Sequence, residues 1–106
     1  MFTRSSAIKI SEQFLSELKK HGFSPSRAIL FGSYAKGLAH QHSDIDLAVW
    51  DDRFSGCLPL DIELINPAKR LFHPLLEVHT FNSSETVKSN PFIGEVEKTG
   101  ISIPIP

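Results

Sequence analysis

Residues 32–47 read GSYAKGLAHQHSDIDL: a Gly32-Ser33 pair and, ten residues further on, Asp44-Ile45-Asp46. The segment joins two apolar stretches of different character. Before it stands Ala28-Ile29-Leu30-Phe31, whose length and bulk predict a buried strand. It ends in an alternating run over residues 44–50, with Ile45, Leu47 and Val49 on one face and Asp44, Asp46, Ala48 and Trp50 on the other. That period of two predicts a strand with one face on the core. Two acids two residues apart on one side of a strand, just after a glycine-bearing connection, set the question of what they do.

Working outward, residues 5–21 place Ile8, Phe14, Leu15 and Leu18 at helical spacings, which predicts an amphipathic helix. Lys19, Lys20 and His21 suit its C-terminus, and Gly22 supplies the stop. Residues 51–59 read as loop and residues 60–72 as helix, although Pro67 speaks against one continuous helix. A third strand is expected over residues 75–81, with Leu75, Glu77, His79 and Phe81 on one face and Leu76, Val78 and Thr80 on the other. Beyond it, Ile93, Val96 and Ile101 suggest helix ending at Gly100 and then an extended tail. The order predicts an α/β (α+β) fold: a small mixed sheet with helices packed on one face and the carboxylates on the other. No repeat or linker divides residues 1–106, so one domain is expected.

Composition narrows the class. A hydrophobic content of 41% with 22% charged residues is that of a globular chain, not a disordered or fibrous one. A formal net charge of -1 gives no global attraction to nucleic acid or to an anionic membrane surface. Lys19-Lys20 and Lys69-Arg70 read as solvated helix ends. The single cysteine, Cys57, excludes an internal disulfide and a multi-cysteine zinc site, which fits a reducing cytoplasm. No apolar run is long enough to span a bilayer.

Asp-x-Asp at a strand start can be a polar edge, and Gly-Ser can be a plain loop. Together they make a more specific pattern. Residues i and i+2 of a strand point the same way about 6 to 7 Å apart, and like charges that close are tolerated when a cation sits beside them. Hard oxygen ligands of this kind suit magnesium, which fills its shell with water and substrate phosphates. Gly32 allows close approach of backbone to an anion, Ser33 adds a hydroxyl, and Lys36 and Ser43 lie where they can assist. Glu77, in the mostly apolar LLEVHTF, is the third acid expected at the site; the competing reading is an edge-strand residue facing water. Asp51, Asp52, Asp61 and Glu63 are weaker candidates, as loop and helix-surface acids are common.

The Gly-Ser pair, the spacing of ten and the Asp-x-Asp strand resemble the signature of the DNA polymerase β-like nucleotidyltransferase superfamily, and in particular its minimal nucleotidyltransferases. The resemblance runs over most of the chain; Glu77 stands where many relatives carry aspartate. It implies transfer of a nucleotidyl group from a nucleoside triphosphate, most often ATP, with a two-ion magnesium site on Asp44, Asp46 and Glu77. It also implies that Gly32 and Ser33 hold the triphosphate. Small members are often encoded beside a HEPN-domain protein and serve as antitoxins by adenylylating its tyrosine, so a partner of that kind is expected. Two other functions compete: a non-catalytic module of the same fold that neutralises a partner by contact, and transfer to a small molecule.

His40 and His42 fall beside the phosphate loop, where loop polarity and pyrophosphate contact compete. His79 shares the face of Glu77 and either orders that carboxylate or packs. Trp50 either lines a nucleotide pocket or joins the core or an interface, the latter being favoured. The acceptor, the base preference and any self-association are left open.

Overall fold

The computed structural model describes residues 3–39, 43–72 and 74–106. These form α1 (Arg4–Lys20), β1 (Arg27–Phe31), α2 (Ser33–Lys36), β2 (Ile45–Trp50), α3 (Leu58–Lys69), β3 (Leu76–Phe81), α4 (Pro91–Thr99) and β4 (Ile101–Ser102). The mixed α/β class is as expected, with one four-stranded sheet in the order β3-β2-β1-β4.

Helix α1 begins where the Thr3 hydroxyl accepts a hydrogen bond from the Ser6 N–H at 3.0 Å, satisfying one of the free donors of the first turn. It ends at the expected place. Gly22, at φ +87°, takes the left-handed conformation, the Phe23 N–H donates to the Leu18 carbonyl and the Gly22 N–H to the Lys19 carbonyl. Those two bonds are the Schellman arrangement, and Phe23 and Leu18 share the core as its apolar partners. The buried stripe is Ala7, Ser11, Phe14, Leu15 and Leu18. Ser11 is tolerated there because its hydroxyl donates back to the Ala7 carbonyl at 2.8 Å.

β1 runs antiparallel to β2 and to β4, whereas β2 and β3 are parallel. The parallel pair requires a crossover, which α3 supplies. Pro67 does not break α3, because it stands in the last turn, where the one backbone bond it forfeits ends a helix that stops two residues later. At the other end Pro59 occupies the first turn, where a missing N–H costs nothing.

The alternation in the strands sorts the apolar residues into two layers. Leu30, Ile45, Leu47, Val49, Leu76 and Val78 pack with α1, α2 and α3 on one face. Ile29, Ala48, Trp50 and Phe81 meet Ile93 and Val96 of α4 on the other. The helices are thus not confined to one face: α4 covers the half of the acidic face remote from the carboxylates. Its Ile93 and Val96, three residues apart, form a stripe that only this second apolar patch can bury. Trp50 belongs to that patch. It is fully buried, stacks on Phe81 at 4.8 Å, lies under the Arg27 guanidinium and donates its indole N–H to the Glu85 carbonyl at 3.1 Å. No helix among the described residues is long and apolar enough to cross a membrane.

Candidate functional site

Sheet register builds the site. Asp46 on β2 stands opposite Phe31 of β1 and opposite Glu77 of β3. Glu77 therefore lies on the same face as Asp46, on a neighbouring strand, although the two are 31 residues apart in sequence. β3 is an edge strand and the Glu77 side chain is 51% exposed, against 23% for Asp46. Both readings of Glu77 meet here: it faces water, and it stands beside a second carboxylate. Like charges at directly paired positions repel, and a shared cation offsets that repulsion.

Gly32 sets the wall against which Asp46 rests. Its φ of +74° and ψ of −152° lie in a region that is essentially closed to residues with a Cβ. A Cβ built there would overlap Asp46 Oδ2 and stand 3.2 Å from Asp46 Cγ. Glycine at this position therefore serves the carboxylate directly, since the backbone after β1 can approach Asp46 only without a side chain. α2 follows at once, with Ser33 as its first residue, Tyr34 and Ala35 buried and Lys36 exposed. From α1, Arg4 donates through Nε to the Tyr34 carbonyl at 3.3 Å and through Nη2 to the Ala35 carbonyl at 2.9 Å. This clamp fixes the turn that carries Gly32 and Ser33, and nothing near Arg4 in sequence announces it.

Two residues after Glu77, His79 completes a group of three. Its Nε2 lies 3.5 Å from Asp46 Oδ1 and 3.8 Å from Glu77 Oε1. One donor atom from each of Asp46, Glu77 and His79 falls within 4.8 Å of the others. The His79 Nε2 is buried and has no hydrogen-bond partner among the described residues. The ring itself is held edge-on to Phe31 at 4.9 Å and tilted to Phe92 at 6.1 Å. His79 thus packs and also faces the carboxylates.

Of the other residues singled out from the sequence, Asp44 is exposed, lies just before β2 and stands outside this group of donors. The strand ladder starts at Ile45, so the strand geometry that aims Asp46 is not imposed on Asp44. Ser43 is partly buried next to it. His40 and His42 lie outside the described residues. Asp61, a weak candidate by sequence, is a buried structural carboxylate. It accepts from the Ser55 N–H and hydroxyl, the Gly56 N–H and the Thr80 hydroxyl, at 2.8 to 3.1 Å. Burial pushes its carboxyl up, but these donors, the Ser55 N–H and Thr80 hydroxyl foremost, outweigh it and hold the group below its ordinary value.

The donor chemistry fits a divalent cation: two carboxylates side by side, a buried ring nitrogen without a hydrogen-bond partner among the described residues, and a glycine backbone against which Asp46 rests. A family model described as "Nucleotidyltransferase domain" matches residues 8–93, a span that contains Gly32, Ser33, Asp44, Asp46, Glu77, His79 and Phe92. A search of curated proteins found no match.

Proposed function

Because the chain belongs to the nucleotidyltransferase domain family, we propose that it is a minimal transferase that moves AMP from ATP to a hydroxyl group, that of a tyrosine on a HEPN-domain partner in the cytoplasm. The observation that carries the reading is the pairing of Asp46 with Glu77 across β2 and β3, against the side-chain-free backbone of Gly32.

In this proposal Gly32 and Ser33 receive the triphosphate, with Lys36 and Ser43 flanking it. Asp44 and Asp46 hold the magnesium that arrives with the nucleotide, and Asp46 and Glu77 hold a second divalent ion. The cations, when bound, neutralise the triphosphate and the departing pyrophosphate. Glu77 is the more exposed carboxylate, so an incoming hydroxyl reaches it from solvent. It accepts the hydroxyl proton as the oxygen bonds to the α-phosphorus and the bond to pyrophosphate breaks. Asp46, backed by Gly32, stays in place throughout.

The deciding experiment is incubation with ATP labelled at the α-phosphate, magnesium and a HEPN-domain protein encoded beside this one. Label on a tyrosine of that protein, absent with Asp46→Asn, is the expected result. Stoichiometric binding of the partner with no label on it under any metal condition would overturn the proposal in favour of neutralisation by contact.

A further inference from the structure

We infer that His79 donates its Nε2 directly to the ion held by Asp46 and Glu77, so that this position takes a transition-metal ion such as manganese(II) in preference to magnesium. The inference rests on the cation reading of the site and adds a nitrogen to its ligands.

Three observations lead to it. First, Nε2 is buried and makes no hydrogen bond among the described residues, although two carboxylate oxygens lie 3.5 and 3.8 Å away. A charge-assisted pair between an imidazolium and a carboxylate closes to about 2.7 to 2.9 Å. Neither oxygen has closed on this nitrogen.

Second, the spacing is that of ligands around an ion. Adjacent donors on an octahedral centre with bonds of about 2.1 Å stand about 3.0 Å apart. The separations from Nε2, 3.5 Å to Asp46 and 3.8 Å to Glu77, exceed that by less than about 1 Å, and all three donors lie within 4.8 Å of one another; the half-exposed Glu77 side chain has the freedom to close its share of the gap. Third, the imidazole is preset. The pairing of His79 with Ala48 puts it on the acidic face, and contacts with Phe31 and Phe92 fix the ring. An ordered ring loses little freedom when it binds a metal.

The nitrogen changes which ion is favoured. Magnesium takes oxygen ligands and keeps its water, whereas imidazole suits transition ions, and manganese also accepts carboxylates. The site then holds a nitrogen-ligated ion of its own, separate from the magnesium that enters with the triphosphate.

The test uses the whole chain without nucleotide. Manganese(II) binding is titrated by electron paramagnetic resonance, directly bound nitrogen is read from pulsed spectra, and magnesium binding is followed by calorimetry. Wild type should bind manganese with a nitrogen coupling. In His79→Ala the coupling should vanish and manganese affinity fall by about tenfold or more, while magnesium affinity changes by less than about threefold. His79→Gln, which keeps the bulk of the side chain, should behave like His79→Ala. Manganese bound by wild type without nitrogen coupling, or with a coupling that survives His79→Ala, overturns the inference and leaves the cation site standing. Absence of binding by either ion in wild type defeats the cation reading and the inference together.

Discussion

Replacing Gly32 with alanine separates two effects that a glycine substitution usually mixes. The first is conformational: a residue with a Cβ held at φ +74°, ψ −152° costs about 1 to 3 kcal/mol. The second is local: the new methyl overlaps Asp46 Oδ2 and leaves Asp46 Cγ only 3.2 Å away, so the carboxylate must swing aside. To reach an ordinary contact it moves on the order of 1 Å, a misplacement that costs about a hundredfold in rate at a reacting centre. Gly22→Ala is the control, because Gly22 has φ +87° but its added Cβ meets only Arg53 Nη1, at 3.5 Å. Its cost is the left-handed conformation alone, about 1 to 2 kcal/mol. Both variants should therefore lose comparable stability in thermal unfolding, about 4 to 8 °C in Tm per kcal/mol. Only Gly32→Ala should lose manganese affinity and label transfer. Equal retention of ion binding and transfer in the two variants would refute the claim that Gly32 is there to seat Asp46.

The remaining expectations concern the acids and the clamp. Asp46→Ala should abolish transfer while urea unfolding shows a fold close to wild type, since the side chain is partly exposed and not part of the core. Asp44→Ala should abolish transfer equally; transfer at the wild-type rate would remove Asp44 from the machinery. Arg4→Ala removes two hydrogen bonds, those from Arg4 to the Tyr34 and Ala35 carbonyls, which should cost about 1 to 2 kcal/mol and weaken transfer without touching any metal donor. For Asp61, the folded-state pKa lies below the ordinary value of 3.8, so folding favours the ionised form. That stabilisation is complete above the unfolded pKa and is lost as pH falls through the folded one. Unfolding free energy followed downward from pH 6 should drop below about pH 4 in wild type. In Asp61→Asn this component should be missing, and a parallel fall in both proteins would show that other groups carry the acid sensitivity.

The strands and the first helix could be read from the sequence because their burial is written in periodicity. Ile45, Leu47 and Val49 do face the core, Gly22 does end α1, and Glu77 and His79 do share a face. Periodicity is blind to which layer covers a face. Ile93 and Val96 gave a helix but no hint that it would cross to the acidic side and enclose Trp50. Pro67 misled for a related reason: a proline is costly in a helix interior and nearly free in a last turn, and the sequence does not say where the turn ends.

The site divides along the same line. Residues close in sequence and bound to a chain conformation, Gly32 with Ser33 and Asp46 with its alternating neighbours, announce themselves, because local geometry dictates which residue types can stand there. Sequence alone thus determined the class of fold, the acidic strand and the family. Tertiary structure decided the rest: the parallel pairing that sets Asp46 beside Glu77 and His79, the exclusion of Asp44 from that group, the Arg4 clamp and the inward turn of Asp61. The parallel register, the Arg4 bonds and the Thr80 bond to Asp61 join segments far apart in the chain. Such contacts leave no period in the sequence, since a ladder will accept any side chain that fits, and only the folded sheet specifies which ones meet.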